Sequence, residues 1–117
     1  MRKIKTLKKN YEFKNVLSKG KYYSGKYIEA FVKSNRNIEE NLLGIAVSVK
    51  TAKATKRNLI KRLIRENYKE YENSIKTGNR IVFLWKKKSK IEDATFANIK
   101  KDMAIIFDKA ELFIEEK

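Results

Sequence analysis

Apolar positions change their repeat several times along this chain, and each change marks an element. The longest signal is Ile60, Leu63, Ile64, Tyr68 and Tyr71, spaced by three and four residues. That spacing predicts an amphipathic helix that follows Thr51 to Ala54 and runs to about Ile75. Phe13, Val16 and Leu17 predict a shorter helix, from Asn10 as N-cap to Lys19, stopped by Gly20. Residues 22–34 alternate instead, with Ile28, Ala30 and Val32 on one face and Tyr27, Glu29, Phe31 and Lys33 on the other, which reads as a strand. Asn35-Arg36-Asn37 opens a polar loop. Leu42 to Val49 alternates again and predicts a second strand. After Gly78-Asn79, Arg80 to Trp85 is rich in β-branched and aromatic residues and predicts a buried central strand. Lys86 to Lys90 is a basic loop. A last helix starts near Thr95, carries the stripe Phe96, Ile99, Met103, Ile106, Phe107, Ala110 and Phe113, and ends in Glu111, Glu115 and Glu116. The predicted order is α-β-β-α-β-α: one α+β domain over 1–117, a small mixed sheet packed by helices, with residues 1–9 as a basic N-terminal arm.

Charge adds to this picture. Around the long helix, Arg57, Asn58, Lys61, Arg62, Arg65 and Lys69 fall together on another side from the apolar residues. Cations at i,i+4 repel by a few tenths of a kcal/mol per pair, about 0.2–0.5. A solvated face normally mixes signs, so an anionic partner, RNA or DNA, is expected against this one. The whole chain has 29 Lys and Arg against 14 Asp and Glu, a net charge of +15. Such an excess predicts a polyanionic ligand and binding that weakens steeply with salt. A membrane surface would attract the same charge, but no apolar run of about 18 residues is present to span a bilayer. The basic start, Met1 to Lys5, is not followed by the apolar stretch of a signal peptide, so a cytoplasmic location is expected.

Candidate chemistry is narrowed by what the 117 residues lack. There is no Cys and no His. Disulfides, thiolate nucleophiles and Cys-ligated zinc are excluded, as is the commonest general base. The four glycines are isolated, so no Gly-rich phosphate loop exists. Side chains of this chain are not expected to break bonds themselves.

The stretch Ala54-Thr55-Lys56-Arg57-Asn58-Leu59-Ile60-Lys61-Arg62-Leu63-Ile64-Arg65-Glu66 resembles the signature Ala-x-x-Arg-Asn-Arg-x-Lys-Arg-x-x-Arg-Glu of the protein subunits of bacterial ribonuclease P. The similarity extends from Leu7-Lys8-Lys9 through Phe13 to Gly20, and Gly44-Ile45-Ala46-Val47-Ser48 matches the family's second-strand pattern. Five positions depart from the pattern: Leu59 replaces its second arginine, Val49 a lysine, Ala52 a glycine, Leu17 an aromatic residue, and Phe31 an aromatic position that is often tyrosine.

The resemblance implies a fold and a function. It implies a left-handed crossover through the basic helix between parallel strands, where pattern alone would favour the right-handed form seen in about 98% of cases. It implies a ribonucleoprotein, one protein per RNA, whose RNA uses Mg²⁺ to activate water and remove the 5′ leader from precursor tRNA. By position, Lys53, Arg57, Asn58, Lys61, Arg62 and Arg65 are assigned to the ribonuclease P RNA. Phe13, Leu17, Phe31, Ser48 and Lys50 are assigned to the leader of precursor tRNA. For the aromatics, stacking with unpaired bases competes with simple core packing; for Glu66, an internal ion pair is the alternative. Trp85 is assigned to packing, and the 86–90 lysines to general electrostatics. A ribosomal or other structured-RNA-binding protein would explain charge and size without the ordered signature. A DNA-binding regulator would need a helix set for base edges and usually a dimer interface.

Overall fold

The computed structural model describes residues 5–34 and 39–114. Asn35-Arg36-Asn37, the first four residues of the basic arm, and the acidic Glu115 and Glu116 lie outside them. The elements are helix α1 (Asn10–Lys19), strands β1 (Lys21–Ser24), β2 (Ile28–Ser34) and β3 (Leu42–Ala46), helix α2 (Ala54–Tyr71), strand β4 (Asn79–Trp85) and helix α3 (Phe96–Lys109). Short 3-10 turns sit at Glu72–Ser74 and Ile91–Asp93. The expected α+β domain is present, with one refinement. The stretch read as a single strand is a hairpin, because the chain reverses at Gly25 to Tyr27.

The sheet order is β1-β2-β4-β3. β1 and β2 are antiparallel, as are β2 and β4; β3 lies parallel to β4. α2 is therefore the crossover between parallel neighbours. β3 ends at Ala46, three residues before the predicted end, and the chain turns at Ser48, whose carbonyl accepts the N–H of Thr51 at 3.0 Å. The basic arm is docked over part of its length: the N–H of Leu7 donates to Leu43 at 3.0 Å and that of Leu43 to Lys5 at 2.9 Å.

Alternation along the strands gives the sheet two unlike faces. Ile28, Ala30, Ile81 and Phe83 are fully buried on the inner face, against Ile60, Ile64 and Tyr68 of α2 and Ile99, Met103, Ile106 and Phe107 of α3. Phe107 meets Phe83 edge to face at 6.0 Å, and Tyr71 at 5.6 Å. Trp85 is buried and stacks on Tyr27, in line with its assignment to packing. Thr95 caps α3 by accepting the N–H of Asn98 at 3.2 Å, where that helix was expected to begin. At the first helix the N-cap is Lys9 rather than Asn10, and no side chain caps it.

Two buried polar residues pin this layer. Asp102 of α3 accepts the backbone N–H groups of Lys26, Tyr27 and Ile28 at 2.9, 2.5 and 2.9 Å. One carboxylate thus satisfies three donors of the β1–β2 turn and ties the hairpin to α3. Gly25 makes room for it, since a Cβ there would lie 2.6 Å from the Asp102 carboxyl carbon. Asn67, on the apolar side of α2, donates to Leu63 at 3.0 Å and to Phe96 at 3.2 Å, joining α2 to the start of α3.

Candidate nucleic-acid interface

The outer face of the sheet is built in rows. Lys33 and Arg80 are paired across β2 and β4. Tyr22, Phe31, Val82 and Gly44 form a second row across all four strands, and Ser24, Glu29, Leu84 and Ala46 a third. α1 lies across the strands over the first row. Glu12 approaches Arg80 at 3.8 Å, and the Lys33 ammonium donates to the Asn15 amide oxygen. Val16 and Val82 are fully buried beneath it. The third row stays half-buried because α1 does not reach that far. The result is a cleft with α1 as its wall and the second and third rows as its floor.

Phe13 and Leu17, four residues apart, share one side of α1. Phe13 packs on Gly44, where a Cβ would lie 3.0 Å from the ring. A glycine at this point lets an aromatic ring sit directly on the strand backbone. Phe13, Leu17 and Phe31 are each half-buried: packed on one side and open on the other. Tyr22, which the strand reading had not singled out, stands 52% exposed beside Phe31 with ring centroids 5.2 Å apart. Its hydroxyl donates to Glu29 at 2.5 Å, and that bond raises the phenol pKa above its ordinary value. The hairpin signal Ser24-Gly25-Lys26 was the clue that would have placed Tyr22 opposite Phe31.

The basic helix presents the expected faces. Ile60, Ile64 and Tyr68 are buried, while Asn58, Arg62, Arg65 and Lys69 are exposed and Lys61 is half-buried. Glu66 pairs with Arg62 at 3.7 Å, one turn away and in solvent, a contact worth about 0.3–0.5 kcal/mol. Arg57 differs from its neighbours. It is half-buried, and its Nη1 donates to the carbonyl of Ala52 at 2.7 Å, fastening the loop that enters α2. Its guanidinium thus carries a structural load beside any contact with RNA. At the start of the helix Lys53 occupies the N-cap position, no side chain caps the free N–H groups, and the first turn holds no acid. The positive end of the helix dipole and the cations Lys53, Lys56 and Arg57 therefore add rather than cancel. That combination invites an anion. Ser48 and the exposed Lys50 lie just before it, beyond the end of β3, and the Ser48 hydroxyl accepts the Lys50 N–H at 3.3 Å.

The two groups of candidate residues meet at the β3 edge. A cavity of about 270 Å³ is lined by Phe13, Leu7, Gly44 and Ile45 together with Lys61 and Arg65 of α2. Phe31 belongs to the same sheet face two strands away and does not line that cavity. Among the described residues no three His, Cys, Asp or Glu side chains gather as a metal site, and no helix is long and apolar enough to cross a membrane.

Comparison with known proteins gives one consistent family. The sequence profile of ribonuclease P matches residues 1–111. A ribonuclease P protein component from Thermoanaerobacter sp. (strain X514) is 36% identical over 112 residues, covering 96% of this chain and 94% of that protein. The corresponding component from Clostridium novyi (strain NT) is 34% identical over 114 residues, covering 97% and 99%. Among solved structures, the Staphylococcus aureus RNase P protein superposes with a TM-score of 0.82 at 29% identity, covering 96% of this chain and all (100%) of that one.

Proposed function

This chain belongs to the family of bacterial ribonuclease P protein components, and from that premise we propose how it serves a tRNA-processing nuclease. The basic face of α2, with Lys53, Arg57, Asn58, Lys61, Arg62 and Arg65, docks on the catalytic RNA. The cleft beside α1 holds the single-stranded 5′ leader of precursor tRNA, using Phe13, Leu17 and Phe31, with Ser48 and Lys50 at its far end. The observation that carries this reading is the cavity where the Phe13 ring meets Lys61 and Arg65. It offers a stacking surface and two phosphate-seeking cations within one nucleotide's reach. Glu29 on the cleft floor disfavours phosphate there, so bases face the sheet and phosphates turn outward to the lysines and arginines.

Mg²⁺ enters this account as a ligand of the RNA. The described carboxylates do not assemble a site for it. The protein contributes charge neutralisation and placement: cations screen the repulsion between leader and catalytic RNA, and the cleft fixes where the leader leaves the scissile bond. One copy per RNA in a cytoplasmic ribonucleoprotein fits this division of labour.

Reconstitution tests the proposal. Added to the catalytic RNA and a precursor tRNA, the chain is expected to restore cleavage at Mg²⁺ concentrations where the RNA alone is slow. A Lys61→Ala, Arg65→Ala double variant should bind the RNA more weakly than a Lys87→Ala, Lys88→Ala variant, although each removes two charges. A chain that binds RNA yet gives no rescue at any Mg²⁺ concentration would be a structured-RNA binder of another kind. Equal losses from the two double variants would replace a docking face by a diffuse cationic surface.

A further inference from the structure

Glu29 is out of place by charge. The chain has a net charge of +15, and the cleft is read above as a seat for a polyanion, yet its floor holds a carboxylate. Among the described residues no cation lies within ion-pair distance of it. Its partner there is Tyr22, whose hydroxyl donates to Oε2 at 2.5 Å. The neighbours on its row leave the other oxygen unused: Ser24 gives its hydroxyl to Gly25 at 3.0 Å, and Leu84 and Ala46 have no side-chain donor. Glu29 is half-buried, so the carboxylate remains reachable from the cleft. An ionised glutamate accepts hydrogen bonds and gives none. The bond from Tyr22 fixes the side chain, which makes the free oxygen a placed acceptor rather than a mobile charge.

We propose that Glu29, held by Tyr22, reads the leader base that stacks on Phe31 and favours adenine, cytosine or guanine over uracil. The inference rests on the leader reading above. Phe31 lies directly across from Tyr22 and two residues along β2 from Glu29, about 7 Å away. All three residues stand on the outer face of the sheet. The Tyr22 and Phe31 rings are 5.2 Å apart and tilted by 55°, so a base laid on Phe31 has the Tyr22–Glu29 pair along its edge. Unpaired bases are read by hydrogen bonds to such exposed edges. Adenine, cytosine and guanine carry an amino group there, a donor that suits a carboxylate. Uracil has a single N–H between two carbonyl oxygens, and these repel the carboxylate. Phosphate offers only acceptors and is repelled as well.

The test is a set of precursor tRNAs that share one body and differ by a single leader base, each leader position being changed in turn to A, C, G or U. Bound to wild-type holoenzyme at fixed salt, one position should disfavour uracil by about ten-fold, the worth of one hydrogen bond to a charged acceptor that water partly reaches. Replacing adenosine there by purine riboside, which lacks only the amino group, should cost about the same. Glu29→Gln keeps the size and can donate as well as accept, so the preference should fall to about two-fold or less. Tyr22→Phe keeps the ring but frees the carboxylate, and should also shrink the preference; a full preference overturns the part given to Tyr22. Melting curves check the fold of each variant. An unchanged preference in Glu29→Gln, or a change of affinity equal for all four bases or shared by mature tRNA, overturns the base reading. Phe31→Ala on the same set separates the two claims. If Phe31→Ala weakens the precursor selectively and Glu29→Gln leaves the ranking of bases as it was, the base reading alone falls. If wild-type holoenzyme gains nothing from any leader, base reading and cleft fall together.

Discussion

The inner and outer faces of the sheet are made by alternate residues of the same strands, and they meet opposite fates. In β2, Ile28 and Ala30 are fully buried while Glu29 and Phe31 stay half-open. In β4, Phe83 is sealed and Leu84 is not. The cause is the number of helices on each side. α2 and α3 together cover the inner face, whereas α1 crosses the outer face over one row and part of the next. The difference separates stability from the proposed binding: the inner layer supplies the burial that holds the fold, and the uncovered outer rows leave aromatic surface open where the proposed cleft would take the leader.

The largest effect should come from breaking the inner face. Phe83→Ala should cost about 3–5 kcal/mol in urea unfolding and weaken RNA binding only as far as it unfolds the chain. A stable Phe83→Ala variant with selectively poor leader binding would reverse the assignment of the faces. Next comes Asp102→Asn, which keeps the size but removes the charge that three N–H groups share. A loss of about 1.5–3 kcal/mol is expected, with leader affinity intact once folded; an unchanged melting temperature would show that the hairpin is held by packing alone. Gly44→Ala sharpens the comparison from the outer side. Its methyl group pushes on the Phe13 ring, so stability should fall by about 1 kcal/mol while precursor binding falls more than mature tRNA binding. Smallest is Glu111→Gly. Glu111 follows α3 at φ 56°, in the region that favours glycine, with Leu112 donating back to Phe107 at 2.9 Å. Relief of that strain should raise stability by up to about 1 kcal/mol and leave both faces as they are; a loss of stability would mean that the Glu111 side chain has a role of its own.

Much of this division was legible in the sequence, and what was hidden has physical reasons. The faces of α2 could be read because its apolar and basic residues each keep the helical period for several turns. The alternation of β2 and the burial of β4 were legible for the same reason at period two. The hairpin is harder to see because Tyr22 and Tyr23 are as strand-prone as the residues after the turn, and only Ser24-Gly25-Lys26 marks the reversal that pairs Tyr22 with Phe31. Asp102 was hidden because an acid beside Ile99, Met103 and Ile106 looks solvent-facing, and its partners lie about 75 residues away. The same distance problem concealed the docking of Lys5 to Leu7 on Leu43, and with it the wall that Leu7 gives the Phe13 cavity. Arg57 matched the signature by type and position, but only the loop geometry reveals that it also holds Ala52.

The most direct test of the two-face account is Phe31→Ala in reconstituted holoenzyme, with affinities for precursor and mature tRNA measured side by side at fixed salt and a melting curve for the protein. The two ligands share the tRNA body and differ in the leader. The account predicts a folded variant that loses about 1–3 kcal/mol for the precursor and nothing for the mature form. A folded variant that binds both ligands as the wild type does, or that loses both equally, would contradict it.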